Sequence, residues 1–260
     1  MSNGREERPL RLMAALAAVV LGALVAGGGA ARAQEVAQAV PFRAYSLDGK
    51  TLLFTGEYSM TRAGSVLREV QEYRTPQGQP AQRIESEFDE DSQRSLLYVN
   101  TNLRTGESVR LAIDGSKLAY DVRDGKGQVV SSGSGDASDH PYFWPGLPHL
   151  AASRWDQVLA GKSNKVPLYV LSLKNDVEVE MLPARQRTLA GVSAWDIQIE
   201  PTSWLVRKMA DPVHVFLAAA PPHQVLEVDG RSAVANDKGS FYDLKIVLDW
   251  PAGAIAASQQ

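Results

Sequence analysis

The chain has 260 residues, no cysteine and a formal net charge of −3. Without cysteine there is neither a disulfide framework nor thiolate chemistry, and a mildly acidic balance without a basic stripe excludes the electrostatic footprint of a nucleic-acid binder. A chain of this length buries enough surface to fold on its apolar core alone.

The N-terminus reads as a processing signal. Arg5, Arg8 and Arg11, diluted by Glu6 and Glu7, precede an uncharged run from Leu12 to Ala26, and Ala31-Arg32-Ala33 offers a small-x-small cleavage site. These three features describe a secretory signal, and the run is short for a membrane span, which needs ~20 apolar residues. Residues 1–33 are therefore expected to be removed, leaving a periplasmic protein with no integral membrane span. Four arginines and two glutamates leave with that segment, so the mature chain is more acidic still.

Residues 34–250 are expected to form a single β-barrel-like domain, with 251–260 a flexible tail. Apolar residues alternate with polar ones at Val109, Leu111 and Ile113; at Leu118, Tyr120 and Val122; at Val177, Val179 and Met181; at Trp195, Ile197 and Ile199; and at Tyr242, Leu244, Ile246 and Leu248. A period of two marks strands with one face buried and one wet, which is the pattern of antiparallel sheets. Asp48-Gly49, Gln77-Gly78, Thr105-Gly106, Asp114-Gly115, Asp124-Gly125 and Asp229-Gly230 are expected to turn the chain, because Asp and Gly tolerate positive φ. Between residues 42 and 134 this predicts about eight strands in a meander.

Residues 137–147 break the pattern, since Pro141 and Pro145 remove ladder donors. A helix is predicted over 148–160: Pro148 suits the first turn, Ala151, Trp155, Val158 and Leu159 share one face, and Gly161 stands at the C-terminal cap. Strands resume from Val166 to Trp250. The predicted fold is mainly β, a large curved antiparallel sheet forming an open or half barrel, with this one short helix against it.

No complete catalytic or metal constellation is present. His140, His149, His214 and His223 form no pair at ligand spacing, so neither a metal nor a cofactor is expected. Asp89-Glu90-Asp91 lacks the alternating ligands of a calcium loop and reads as a hairpin turn. Ser131 to Gly135 lacks the Gly-x-Ser-x-Gly of a nucleophile elbow and reads as a flexible loop. Gly161-Lys162-Ser163 lacks the first glycine of a phosphate loop. A hydrolase built from His149, Ser153 and Asp156 has only sequence proximity behind it. The candidate ligand-binding residues are the aromatics Phe143, Trp144, Trp155 and Trp204, whose large apolar bodies with polar handles line pockets; the alternative is that they complete the core.

Several pieces resemble a family of uncharacterised exported, β-rich proteins of Gram-negative bacteria, a domain of unknown function. They are Arg154 to Gly161, Ile199-Glu200-Pro201-Thr202-Ser203-Trp204-Leu205-Val206, Asp211-Pro212-Val213, Val225 to Ser232 and Glu72-Tyr73-Arg74-Thr75-Pro76-Gln77-Gly78. More distantly, the chain is similar to lipoprotein carriers, half-barrels closed by a helix that bind acyl chains. By fold analogy that resemblance implies a non-enzymatic periplasmic protein binding a lipid or other hydrophobic envelope ligand. The alternative is a cell-envelope interaction or scaffold protein with a filled core, an envelope protein as partner and no small-molecule ligand. A hollow solidly packed by side chains would defeat the carrier reading.

Overall fold

The computed structural model describes residues 35–36, 39–137, 141–208, 210–236 and 239–251. The expected signal segment, His140 and residues 252–260 of the expected tail lie outside the described residues.

The strands are β1 (Glu35–Val36), β2 (Val40–Ser46), β3 (Leu52–Ala63), β4 (Val66–Arg74), β5 (Pro80–Asp89), β6 (Arg94–Asn102), β7 (Ser108–Asp114), β8 (Lys117–Arg123) and β9 (Val129–Asp136), followed after the helices by β10 (Lys165–Val170), β11 (Asn175–Leu189), β12 (Val192–Pro201), β13 (Val213–Ala218), β14 (Val225–Ala235) and β15 (Phe241–Leu248). All pair antiparallel in one curved sheet, in the order β10-β11-β12-β13-β14-β15-β2-β3-β4-β5-β6-β7-β8-β9, with β1 beside β3. Two meanders are thus sewn together where the last strand meets an early one, from Leu244 opposite Ser46 to Leu248 opposite Phe42.

The sheet edges are β9 and β10, neighbours in sequence across the helical segment. That segment joins them. Tyr142 donates its N–H to Pro167 O at 2.8 Å and accepts from Tyr169 N at 3.0 Å, capping part of the β10 edge. The next residue, Phe143, buries its ring with Leu111, Ile113 and Leu118 of β7 and β8. The far side also folds over: Asn100 on β6 donates to Ala233 O on β14 at 2.8 Å, although these strands are distant in the sheet order. The sheet therefore wraps around an interior without a continuous ladder closing it. A register shift between Pro183 and Arg185 in the long β11 accommodates the bend.

The helical segment sits inside this curl. It is two helices, α1 (Gly146–Ser153) and α2 (Trp155–Leu159), where the sequence predicts one. Arg154, at φ −106° and ψ 26°, breaks them. Here the Ser153 hydroxyl donates to Leu150 O, which also accepts from Arg154 N, and a hydroxyl bonded back onto its own helix bends it. The expected cap is present: Gly161 has φ 64°, its N–H bonds Val158 O and that of Lys162 bonds Gln157 O, a Schellman ending. Leu147 and Leu150 are fully buried with Val179, Met181, Ile197, Val215 and Leu217, each burial contributing roughly 1.5–3 kcal/mol. A third helix, α3 (Trp204–Arg207), was not expected from sequence.

The first five predicted turns fall between strands, but Asp229-Gly230 lies within β14, opposite Lys245 and Leu244. Its glycine serves close approach instead: a Cβ there would stand 3.1 Å from Val213 Cα. Ser131 to Gly135 is likewise strand β9 rather than a loop, paired along β8, and Gly133 leaves room for the Tyr120 ring.

Candidate functional site

The inward positions of β4 are Leu67, Glu69, Gln71 and Tyr73, and those of β5 are Gln82, Ile84, Ser86 and Phe88. Strand alternation thus aims polar side chains at the interior. Glu69 is only 6% exposed. One of its carboxylate oxygens accepts from the Tyr58 hydroxyl of β3, and the other accepts from Ser86 Oγ at 3.0 Å. From the opposite wall α1 brings His149, which stacks on Phe88 with centroids 5.7 Å apart. Its Nε2 stands 2.9 Å from Glu69 Oε1, an ion-pair distance without hydrogen-bond alignment.

Burial opposes charge on both groups, but the attraction between them, joined on Glu69 by the hydrogen bonds from Tyr58 and Ser86, outweighs it. Glu69 is held below the usual carboxylate range and His149 above the usual imidazole range. The same burial and the same carboxylate push the Tyr58 hydroxyl well up, so it stays protonated and donates.

This polar cluster stands at the join of two cavities. The inner one, ≈ 80 Å³, is lined by Phe42, Tyr73, Ile84, Trp144, Val215, Leu244 and Ile246 beside Glu69. The outer one, ≈ 280 Å³, is lined by Met60, Leu67, Phe88, His149, Val225 and Trp250, with Arg62 and Glu90 at its rim. Tyr58, Pro148 and Val225 border both. Arg62 is 48% exposed and paired with Glu90. The site is therefore an apolar recess, floored by aromatics, with one buried ionised pair in its wall.

The four candidate aromatics do not come together. Trp144 lines the inner cavity. Phe143 lies in the separate cluster on β7 and β8. Trp155 stacks on His223 with centroids 3.9 Å apart. Trp204 is 67% exposed on α3, its ring under the Lys208 ammonium at 4.6 Å, and borders neither cavity. The hydrolase set does not assemble either, although His149 and Ser153 both border the outer cavity. His149 faces Glu69, the exposed Ser153 bonds Leu150 O and Gln93, and Asp156 is exposed in the first turn of α2.

Sequence reasoning missed Tyr58, Glu69 and Ser86 altogether. The signal was there in β4 and β5, where polar residues occupy positions in phase with buried apolar ones. A second polar cluster lies on the convex face. Asp196, 1% exposed, pairs with His214 Nδ1 at 2.8 Å, and beside them the Arg187 guanidinium covers the Phe216 ring at 3.6 Å. Among the described residues, no group of three or more His, Asp or Glu is placed to hold a metal ion, and no helix is long and apolar enough to cross a membrane.

The architecture defines a mainly antiparallel, barrel-like β domain. No protein-family model matches the sequence and no curated protein matches it. Among solved structures the chain is similar to a β-barrel-like protein of the domain of unknown function DUF1849 from Brucella abortus, at 10% identity over 84% of this chain and 97% of that one, with a TM-score of 0.44.

Proposed function

We propose that this protein is a non-enzymatic binder of a hydrophobic envelope ligand, held in the recess between α1 and the sheet. The observation that carries this reading is the recess itself. Helices fill the β10–β13 side of the curl and aromatics fill the β2–β5 side, yet two adjoining apolar cavities remain between them. At ≈ 80 and ≈ 280 Å³ each lies below the ~300–1,000 Å³ typical of ligand pockets, which favours a short or single-chain ligand over a two-chain phospholipid. Trp144 is the one candidate aromatic in position to touch it. The basic, apolar and Ala-x-Ala pattern of residues 1–33 supports a periplasmic address. Native mass spectrometry of protein purified from the periplasm tests the reading. A bound apolar molecule, displaced by a fluorescent fatty-acyl probe, is expected; protein that is ligand-free and ignores every acyl probe would overturn it.

A second reading, an envelope interaction protein, draws on strand β9. Its outer edge has no strand partner among the described residues, and Val129 and Val130 are 50% and 61% exposed on it. Unpaired strand edges are templates for another chain. Cross-linking in cells that yields one discrete protein partner through β9, with no bound lipid, would favour this reading over the first.

A further inference from the structure

Resting on the binding reading above, we infer that the recess selects an uncharged single-chain amphiphile, presenting an ester or similar carbonyl oxygen to His149, over a fatty-acid anion of the same chain length.

Glu69 accepts from Tyr58 and Ser86 and has His149 beside it, so it has little need of a further donor. His149 Nε2 is different: it is buried, borders the outer cavity, and the acceptor beside it, Glu69 Oε1 at 2.9 Å, is poorly aligned. A buried donor gains from a better-aligned acceptor, so a ligand oxygen seated there completes it. The outer cavity, ≈ 280 Å³ with Met60, Leu67, Phe88, Val225 and Trp250 on its walls, then receives the chain, since the ≈ 80 Å³ inner one is too small for it.

Charge decides between the two kinds of oxygen. Glu69 and His149 neutralise one another, as Glu90 and Arg62 do at the rim, so the recess offers no net positive charge. A ligand carboxylate hydrogen-bonded to Nε2 would shed its hydration for a cation that Glu69 already neutralises, and would meet the repulsion of Glu69 a few ångströms away, so little net attraction offsets the cost of burying its charge. An ester oxygen makes the same hydrogen bond without that repulsion. Glu69 thus acts as a filter against acids, through His149 and the space beside it.

The test titrates the protein at neutral pH with monodecanoylglycerol and with decanoate, reading tryptophan fluorescence, because Trp144 and Trp250 stand on the cavity walls. The ester is expected to bind at least about tenfold tighter than the acid. Glu69→Gln, verified as folded by circular dichroism, is expected to raise decanoate affinity until the gap closes to within about threefold. Equal or tighter binding of decanoate to the unaltered protein overturns the inference while leaving the binding reading intact. So does a folded Glu69→Gln protein with an undiminished preference for the ester. Failure of both probes, and of longer and shorter homologues, overturns the binding reading itself. If Glu69→Gln does not fold, the comparison on unaltered protein decides alone.

Discussion

Replacing His149 by leucine should destabilise the protein in a way that depends on pH, and the size follows from the partner left behind. Glu69 keeps the Tyr58 and Ser86 hydroxyls but loses the cation paired with it. It then either stays ionised and buried without a counter-charge or takes up a proton. The ordinary carboxyl value is 4.5, so protonation near pH 7 costs about 3 kcal/mol, at about 1.4 kcal/mol per pH unit. That figure caps the penalty, and it agrees with the ~3–5 kcal/mol seen when one partner of a buried ion pair is removed. Glu69→Gln should cost less, about 1 kcal/mol, because an imidazole with an ordinary value of 6.5 sheds its proton near neutrality at almost no expense. The sign of the pH dependence follows from linkage. Glu69 is depressed in the folded state, so its contribution is present above about pH 4.5 and lost as pH falls through its folded value; His149 is raised, so its contribution is present below about pH 6.5 and lost as pH rises through its folded value. The pair is therefore at full strength between those limits, and the His149→Leu penalty shrinks as the pH drops from 7 toward 5. Urea denaturation followed by tryptophan fluorescence, at several pH values, measures it. A His149→Leu penalty equal to that of Glu69→Gln, or one flat with pH, would refute an ionised pair in the wall.

Other perturbations probe the frame around the site. Gly56→Ala should destabilise by about 3 kcal/mol or more and lower the thermal midpoint sharply: the new Cβ would sit 2.1 Å from Phe42 Cζ and 2.3 Å from the Glu72 carbonyl oxygen, and the backbone atom cannot step aside. Leu150→Ala, at a fully buried position on α1, should cost about 3 kcal/mol in urea denaturation and enlarge the space beside the helix. Trp204→Ala should change stability by less than about 0.5 kcal/mol and leave acyl-probe affinity unaltered, since that side chain is two-thirds exposed; a loss of probe binding would bring α3 into the site.

Much of the sheet is legible from alternation because each strand has one wet face, and β7, β8, β11, β12 and β15 fall where period-two runs occur. Turn chemistry locates most hairpins for the same local reason. Asp229-Gly230 misleads because glycine has two uses: a turn and a close approach read identically along the chain, and only Val213 lying against Gly230 tells them apart. The break at Arg154 depends on a hydroxyl competing for one carbonyl, which helical spacing does not encode. The Glu69–His149 pair is harder again. Its partners are far apart in sequence and meet because the sheet curls until α1 faces β4. What the sequence does carry is the anomaly, Leu-Glu-Gln-Tyr on an inward-facing row, which reads as a functional interior only once β4 is known to face inward on both sides of Glu69.

That anomaly bears on why the pair exists at all. A buried ion pair seldom maximises stability, because desolvating two charges offsets most of their attraction, and apolar replacements of similar volume are often neutral or stabilising by ~1–4 kcal/mol. If Tyr58, Glu69, Ser86 and His149 served the fold alone, converting all four to Phe, Leu, Ala and Leu would weaken it. If they serve the recess, the apolar version should unfold at equal or higher urea concentration while its preference between decanoyl ester and decanoate disappears, since both the donor that favours the ester and the charge that repels the acid are gone. Loss of stability together with an intact ester preference would assign the cluster to the scaffold and move the selectivity elsewhere in the recess, to Gln71 and Arg231 on the inner cavity's wall. The two outcomes are read from the same protein preparation, so stability and recognition at this site can be separated.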